Sequence, residues 1–420
     1  MSVVAAQSTP ALVPTVDTQD KVQVKTTSGT YNLPKAQSHA EIPTREDYRI
    51  FNANTLGSWG TYTEFQLTNL GVDIVDKMTV VVAMGTATKT GGTYINLVNH
   101  GINLFKQIEV RVGSTLIETL YPLKGYVEDV ANLATVDKVK LLQPAGDDTL
   151  ANRKSNAAAG QTLYIPIRIP FFLKHGFNAA QIGNQIFDIK LYHDSITNVV
   201  DTDGTSPSIA INSVQLIVEG KSFINPNSVQ ALKAQHAKLG KFDTHYLSPI
   251  QQQTSLSSGA TNYTVNLTNI VGAISHLWFT VRLQSNVNTA LGNSPDSFIT
   301  ISSFDLKDAA GNYLVQTTPS SYALSTLSDK FWSGTLTDYN SSGGLDVNPQ
   351  LPLYFATFNS QPEMSMKVGS AHGFYRFTGL ERLDITLTSS ASASMVVDVL
   401  AYTYANIAFD SNGVAQKTLL

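Results

Sequence analysis

Residues 64–82 read EFQLTNLGVDIVDKMTVVV, and 200 residues further on residues 264–283 read TVNLTNIVGAISHLWFTVRL. Each stretch writes Leu-Thr-Asn plus a branched aliphatic, Leu67 to Leu70 and Leu267 to Ile270, then a short loop and an apolar run suited to a strand. Thr and Asn side chains hydrogen-bond nearby backbone and close turns, so the motif marks where a long strand leaves its sheet. Three shared residues in a Thr- and Asn-rich chain are weak by themselves. What surrounds them carries the inference.

After the first copy come FKQIEVRV (105–112), the turn at Gly113-Ser114 and TLIETLY (115–121), a hairpin in which glycine accepts the positive φ of a tight turn. PLKGYVEDVANLA (122–134) then spaces Leu123, Tyr126 or Val127, Val130 and Leu133 at helical intervals behind Pro122. QTLYIPIRIPFF, NQIFDIKLYHD and SIAINSVQLIVEGKSF supply three further strands. Pro166 and Pro170 delete ladder donors, which predicts an edge strand or a bulge. The same order recurs in the second half. NYTVNLTN and ISHLWFTVRLQS are followed by FITISSFDLKD, a turn at Gly311, YLVQTTP, the helix-like SSYALSTLSDKFW after Pro319, and then LPLYFATF, LERLDITLTS and SMVVDVLAYTYANIAF. A recurring element order is the mark of a duplicated unit.

Bulk composition agrees. At 420 residues the chain exceeds one comfortable core. It has no cysteine, which removes disulfides, thiolate metal sites and cysteine nucleophiles. Only 14% of residues are charged and the net charge is -4, so no broad basic face is expected and no sequence-specific nucleic acid binding. The first twenty residues lack a basic leader, and no run of about 18 apolar residues occurs. The expectation is a soluble protein made in a cytoplasm.

These observations predict an all-β chain of two consecutive eight-stranded antiparallel jelly-roll sandwiches with short accessory helices. The expected divisions are an extended N-terminal arm at 1–45, a first roll at 46–224, a linking helix at 225–241 and a second roll with C-terminal tail at 242–420. The linking helix has an Asn cap at 225, Pro226 in its first turn, Val229, Leu232, His236 and Leu239 on one face, and Gly240 past its end. The polar stretches LLQPAGDDTLANRKSNAAAGQ, TNVVDTDGTSPS and WSGTLTDYNSSGGLDVNPQ read as loop insertions.

Four segments resemble the double jelly-roll major capsid proteins of tailless icosahedral viruses, the lineage of membrane-containing phages and large DNA viruses. They are FKQIEVRVGSTLIETLYPLKGYVEDVANL, LYIPIRIPFFLKHGFNAAQIGNQIFDIKLYHDS, LYFATFNSQPEMSMKVGSAHGFYRFTGLERLDITLT with Gln361-Pro362-Glu363, and VVDVLAYTYANIAFDSNGVAQKTLL with Ala401, Tyr404 and Asn406. Two departures, EMSMKVGSAHG in place of a Pro-Ser-Gly tripeptide and Ala405 splitting a Tyr-Asn pair, point to a bacteriophage or small-virus branch. The resemblance implies a homotrimer whose six sandwiches make a pseudo-hexagonal tile. It also implies lattice contacts between trimers, penton and minor capsid proteins as partners, an internal membrane beneath the shell, and a place in the virion. The arm at 1–45 would lock neighbours together, spending its ordering entropy on assembly. The competing class is a secreted or surface two-domain β-sandwich carbohydrate-binding protein or adhesin, which calls for a signal peptide and exposed aromatic platforms.

No catalytic, cofactor-binding or metal residue is assigned. Asp201-Thr202-Asp203-Gly204-Thr205 resembles a calcium loop, but in EF-hand register its first and last ligands fall on Val199 and Ala210. His193 beside Asp194 reads as a polar strand end lacking a nucleophile. Trp278 and Trp332 read as core residues and Trp59 as the third tryptophan of the chain. Asn262 and Asn266 begin Asn-x-Thr triplets attributed to composition, and Lys233, Lys238 and Lys241 read as a solvated helix face.

Overall fold

The computed structural model describes residues 21–26, 29–34, 44–93, 95–97, 101–125, 144–146, 150–174, 176–239, 241–287, 299–319, 338–339, 345–346 and 353–420. Eight strands build the first roll: β1 Thr44–Asn52, β2 Tyr62–Leu67, β3 Ile74–Met84, β4 Phe105–Val112, β5 Thr115–Leu120, β6 Gln161–Ile167, β7 Phe187–His193 and β8 Ile211–Phe223. Eight more build the second: β9 Lys241–Leu256, β10 Asn262–Asn266, β11 Val271–Leu283, β12 Ser303–Lys307, β13 Tyr313–Pro319, β14 Tyr354–Thr357, β15 Arg382–Thr386 and β16 Met395–Asp410. A closing strand, β17 Ala415–Leu419, pairs with the far end of β16.

The wiring repeats strand for strand. In the first roll the large sheet runs β6-β3-β8-β1 and the small sheet β2-β7-β4-β5. In the second the large sheet runs β14-β11-β16-β9 and the small one β10-β15-β12-β13. Even the minor additions correspond: Phe177–Asn178 pairs with β3 and Tyr375–Thr378 with β11. Strands pair antiparallel in both rolls. The duplicated Leu-Thr-Asn sits at the end of β2 and of β10, with Leu67, Leu70, Leu267 and Ile270 buried. In the first copy Asn69 Oδ1 accepts from the Gly71 N–H at 2.8 Å, the side-chain turn expected. In the second, backbone closes it, from the Ile270 N–H to the Leu267 carbonyl at 3.1 Å.

Alternation fixes the cores. In β3, Val75, Met78, Val80, Val82 and Met84 point into the first sandwich, where they meet Phe65, Ile108, Val110, Phe187 and Leu216. In β11, Ile274, Leu277, Phe279 and Val281 point into the second, against Phe304, Leu306, Leu383, Val397 and Val399. Strand β6 is paired on one side only, at the sheet's edge, so Pro166 costs no ladder bond. Gly113 turns the β4–β5 hairpin at φ 58° and Gly311 turns near β12–β13 at φ 88°.

Several elements differ from the sequence reading. Strands β1 and β9 were not anticipated, because β1 exposes most of both faces and β9 is rich in Ser, Thr and Gln. The stretch expected to be a loop around 141–161 contains helix α1, Leu150–Ala159, whose run of alanines favours helix. Inside the expected arm lies a hairpin, Lys21–Thr26 with Gly29–Pro34. The two loops flanking DTDGT zip onto the loops after β3, Val200–Thr202 with Ile95–Leu97 and Thr205–Ser208 with Thr88–Thr90. The helix expected after Pro122 is seen over 122–125, and its remainder lies outside the described residues, as does the counterpart after Pro319. Helix α2, Pro226–Leu239, follows the first roll, with Asn225 Oδ1 accepting from the Asn227 N–H at 3.0 Å. Among the described residues no helix is long and apolar enough to cross a membrane.

One buried ion pair ties the second large sheet together. Arg282 of β11 donates from Nε (2.8 Å) and Nη2 (2.5 Å) to Asp398 Oδ2 of β16, and Gln253 Nε2 of β9 donates to Oδ1 at 2.8 Å. Both charged groups are nearly or fully buried, so removing Asp398 leaves the buried guanidinium without its carboxylate. Asp398→Ala is expected to cost about 3–5 kcal/mol, read by denaturant unfolding, whereas the paired change Arg282→Met with Asp398→Leu recovers most of that loss.

Candidate functional site: the seam between rolls and the outer sheet faces

Strand β16 outruns the second core. Met395, Val397, Val399 and Ala401 belong to that core, while Ala405, Ile407 and Phe409 lie in the core of the first roll, joined by Tyr246 of β9 and Ala415 of β17. Aromatic rings lock this junction, with Phe171 against Tyr246 at 5.9 Å and Phe177 against Phe409 at 5.6 Å between centroids.

A polar clamp sits at the same seam. Glu118 of β5 is buried, and its Oε1 accepts from the Tyr246 hydroxyl (2.6 Å) and Lys417 Nζ (2.8 Å), its Oε2 from Ser248 Oγ (3.2 Å). Lys417 also donates to the Ile117 carbonyl at 3.0 Å and to Ser248 Oγ at 2.7 Å. One carboxylate from the first roll thus meets three donors from the second. Burial and the neighbouring Glu118 charge raise the Tyr246 phenol far above its ordinary value, keeping it a donor. Sequence reading assigned none of these residues. The available signal was an acid, Glu118, inside a hairpin strand with Ile117 and Leu120 around it.

The two faces of the large sheets differ in cover. Outward from the second large sheet point Trp278, Leu400, Tyr402 and Phe355, buried together with Leu247, Leu353, Met366 and, from the first roll, Leu123. Outward from the first large sheet, Pro166, Thr79, Ile217 and Ile50 form a register row, beside a second row of Tyr164, Val81, Gln215 and Asn52. Here Ile50 is 54% exposed, Tyr48 62% and Tyr164 45%. The small sheets face outward with charged side chains, among which Lys190 pairs with Glu64 at 3.0 Å, Arg111 with Glu109 at 3.0 Å and Lys307 with Asp384 at 2.6 Å, while the buried Asp188 Oδ1 and Arg382 Nε make no hydrogen bond.

Residues weighed as candidate sites serve local structure. Asp203 accepts from the Thr93 N–H (2.7 Å) and hydroxyl (2.6 Å), clamping the DTDGT turn to the neighbouring loop. Among the described residues no three His, Asp or Glu side chains gather around a possible ion position. His193 ends β7 with Nε2 2.7 Å from Thr63 Oγ1, while Asp194 caps the next turn through the Ser195 N–H and Asn198 Nδ2. Trp59 donates to the Ile209 carbonyl at 2.7 Å and packs on the first core; Trp332 lies outside the described residues. Asn262 and Asn266 are exposed on β10, and Lys233 and Lys238 are exposed on α2. The motif residues of the last two resembling segments have structural work. Tyr404 shares a buried knot in which Asn359 Nδ2 donates to Ser275 Oγ, Ser365 Oγ and the Tyr404 hydroxyl at 2.8, 2.8 and 3.0 Å. Pro362 opens helix α3, Pro362–Val368, which brings Met366 to the covered outer face.

Glu118→Ala leaves Lys417, Tyr246 and Ser248 without this acceptor, and Lys417→Met leaves the buried Glu118 carboxylate without its counter-charge; each is expected to destabilise by about 2–4 kcal/mol, read by denaturant unfolding. Burial lowers His193 to about 4 from an ordinary 6.5 and His276 to about 3. A depressed His is neutral in the fold, so its contribution is whole above pH 6.5 and is lost as pH falls towards those values. His193→Gln should flatten the decline of melting temperature between pH 6.5 and 4.

No family model and no curated protein matches the chain. Solved structures do. The chain is similar to PBCV-1 VP54 as fitted into a reconstruction of the virophage Sputnik, at 12% identity and a TM-score of 0.62 over 90% of this chain and 97% of that one. A chain of the PBCV-1 virus capsid gives 12% identity and 0.60 over 90% and 97%. The Faustovirus major capsid protein gives 8% identity and 0.61 over 87% and 90%. At such identities the likeness concerns architecture, and it agrees with the strand wiring: this chain has the double jelly-roll fold that is seen in these viral capsid structures.

Proposed function

We propose that this chain is the major capsid protein of a tailless icosahedral virus, a non-enzymatic block that works by symmetric self-association. Three copies would close into a pseudo-hexagonal capsomer of six rolls, and capsomers would tile the shell through weaker contacts. The observation that carries this reading is the pair of identically wired rolls in one chain, matched over 87% of its length by the Faustovirus major capsid protein. A rigid seam suits the role, because a tile must hold its two lobes at one angle in every copy. Self-association is the primary partner interaction; penton and minor capsid proteins and an underlying membrane are its expected neighbours in the virion. The divisions at 45, 224 and 241 describe an arm, two rolls and a linking helix in this scheme.

Light scattering coupled to size exclusion, followed by negative-stain imaging, tests it. The expected result is a mass of three chains and a six-lobed outline. A single-chain mass with glycan binding overturns it. Removal of residues 1–43, ahead of β1, is expected to leave that mass unchanged and to lower the salt or temperature at which assembled particles fall apart; particles of unaltered stability would rule out the locking role of the arm.

A further inference from the structure

The second roll's large sheet is covered on its outer side and the first roll's is not, although both are wired alike. The cover comes partly from the first roll: Leu123, just past the β4–β5 hairpin, joins the cluster of Trp278, Phe355, Leu400 and Tyr402. A hairpin of the same wiring, β12–β13, ends at Pro319 in the second roll. One chain therefore carries two such hairpins and two such faces, and among the described residues the first hairpin's Leu123 lies on the second face.

We infer that the outer face of the first large sheet, built from Tyr48, Ile50, Val81, Tyr164, Pro166 and Ile217, seats the second roll of another copy of this chain. The assignment rests on the assembly reading above and adds the surface on which assembly closes. Repeating the contact found inside the chain between one chain and the next is a head-to-tail interface, which closes into a ring when the rotation is right. The face has the anatomy such a contact needs. Its centre is the apolar row Pro166, Thr79, Ile217 and Ile50, and its rim carries Lys77 paired with Glu219 at 3.0 Å. Its outermost strand, β1, is an unprotected edge nine residues long. The outer faces of the small sheets, in contrast, are polar and charged, with pairs such as Lys190–Glu64, Arg111–Glu109 and Lys307–Asp384 formed within the chain. The sequence after Pro319, SSYALSTLSDKFW, offers apolar residues at Tyr322, Leu324 and Leu327, comparable to those after Pro122.

The absence of cysteine makes a direct test clean. Ile50→Cys and, as reference, Leu380→Cys on an exposed turn of the second roll are introduced singly into the full chain. Each is labelled with a maleimide at a concentration where light scattering reports the assembled mass. Labelling at position 50 is expected to be about tenfold or more slower than at 380, since thiol reactivity follows access. Ile50→Lys is expected to bring the mass to that of one chain with the melting temperature unchanged. An assembled sample in which both positions label alike, or in which Ile50→Lys keeps the full mass, overturns this surface and leaves the assembly reading standing. A single-chain mass for the unsubstituted protein overturns both.

Discussion

Strand β16 belongs to two cores at once, and the rest of the molecule is arranged around that constraint. Sixteen residues at about 3.3 Å each reach roughly 50 Å, farther than one sandwich needs. The first part of the strand lines the second roll, and Ala405, Ile407 and Phe409 lie in the first. A strand shared in this way cannot slide, because a shift of one residue would turn every buried side chain towards the wrong face. The two rolls are consequently one rigid object along this seam.

Buried polar groups are spent at the seam and inside the second large sheet. Glu118 with Lys417, and Arg282 with Asp398, each take charge out of water and recover the cost through several short hydrogen bonds. Both lie where strands distant in sequence must be held in one register. Buried pairs of this kind add little net stability over apolar packing, and what they supply is position: a misplaced strand leaves a charge without a partner.

Duplication accounts for the sameness of the rolls, and neighbours account for their differences. The inner faces remain apolar in both, as each encloses a core. The outer faces diverged: Trp278, Phe355 and Leu400 are covered in one, while Tyr48, Ile50 and Tyr164 are exposed in the other. A face that is always buried within the chain can carry tryptophan without penalty. One that meets water before assembly is held to a modest apolar content.

Much of the fold was legible in residues alone. Short apolar, β-branched-rich runs in β3, β7, β8, β11 and β16, Gly113 and Gly311 at turns, and the Leu-Thr-Asn repeat determined the strands, the hairpins and the duplication, since those signals are local. Pro166 in β6 announced an edge. Composition hid β1, β9 and α1, whose sequences lack a buried stripe of their own. Glu118, Tyr246 and Lys417 could not be joined by reading, because their partnership depends on strands up to 299 residues apart being brought to one seam. The covered and open outer faces were likewise decided by tertiary structure: alternation tells which side chains share a face, and only packing tells what lies against it.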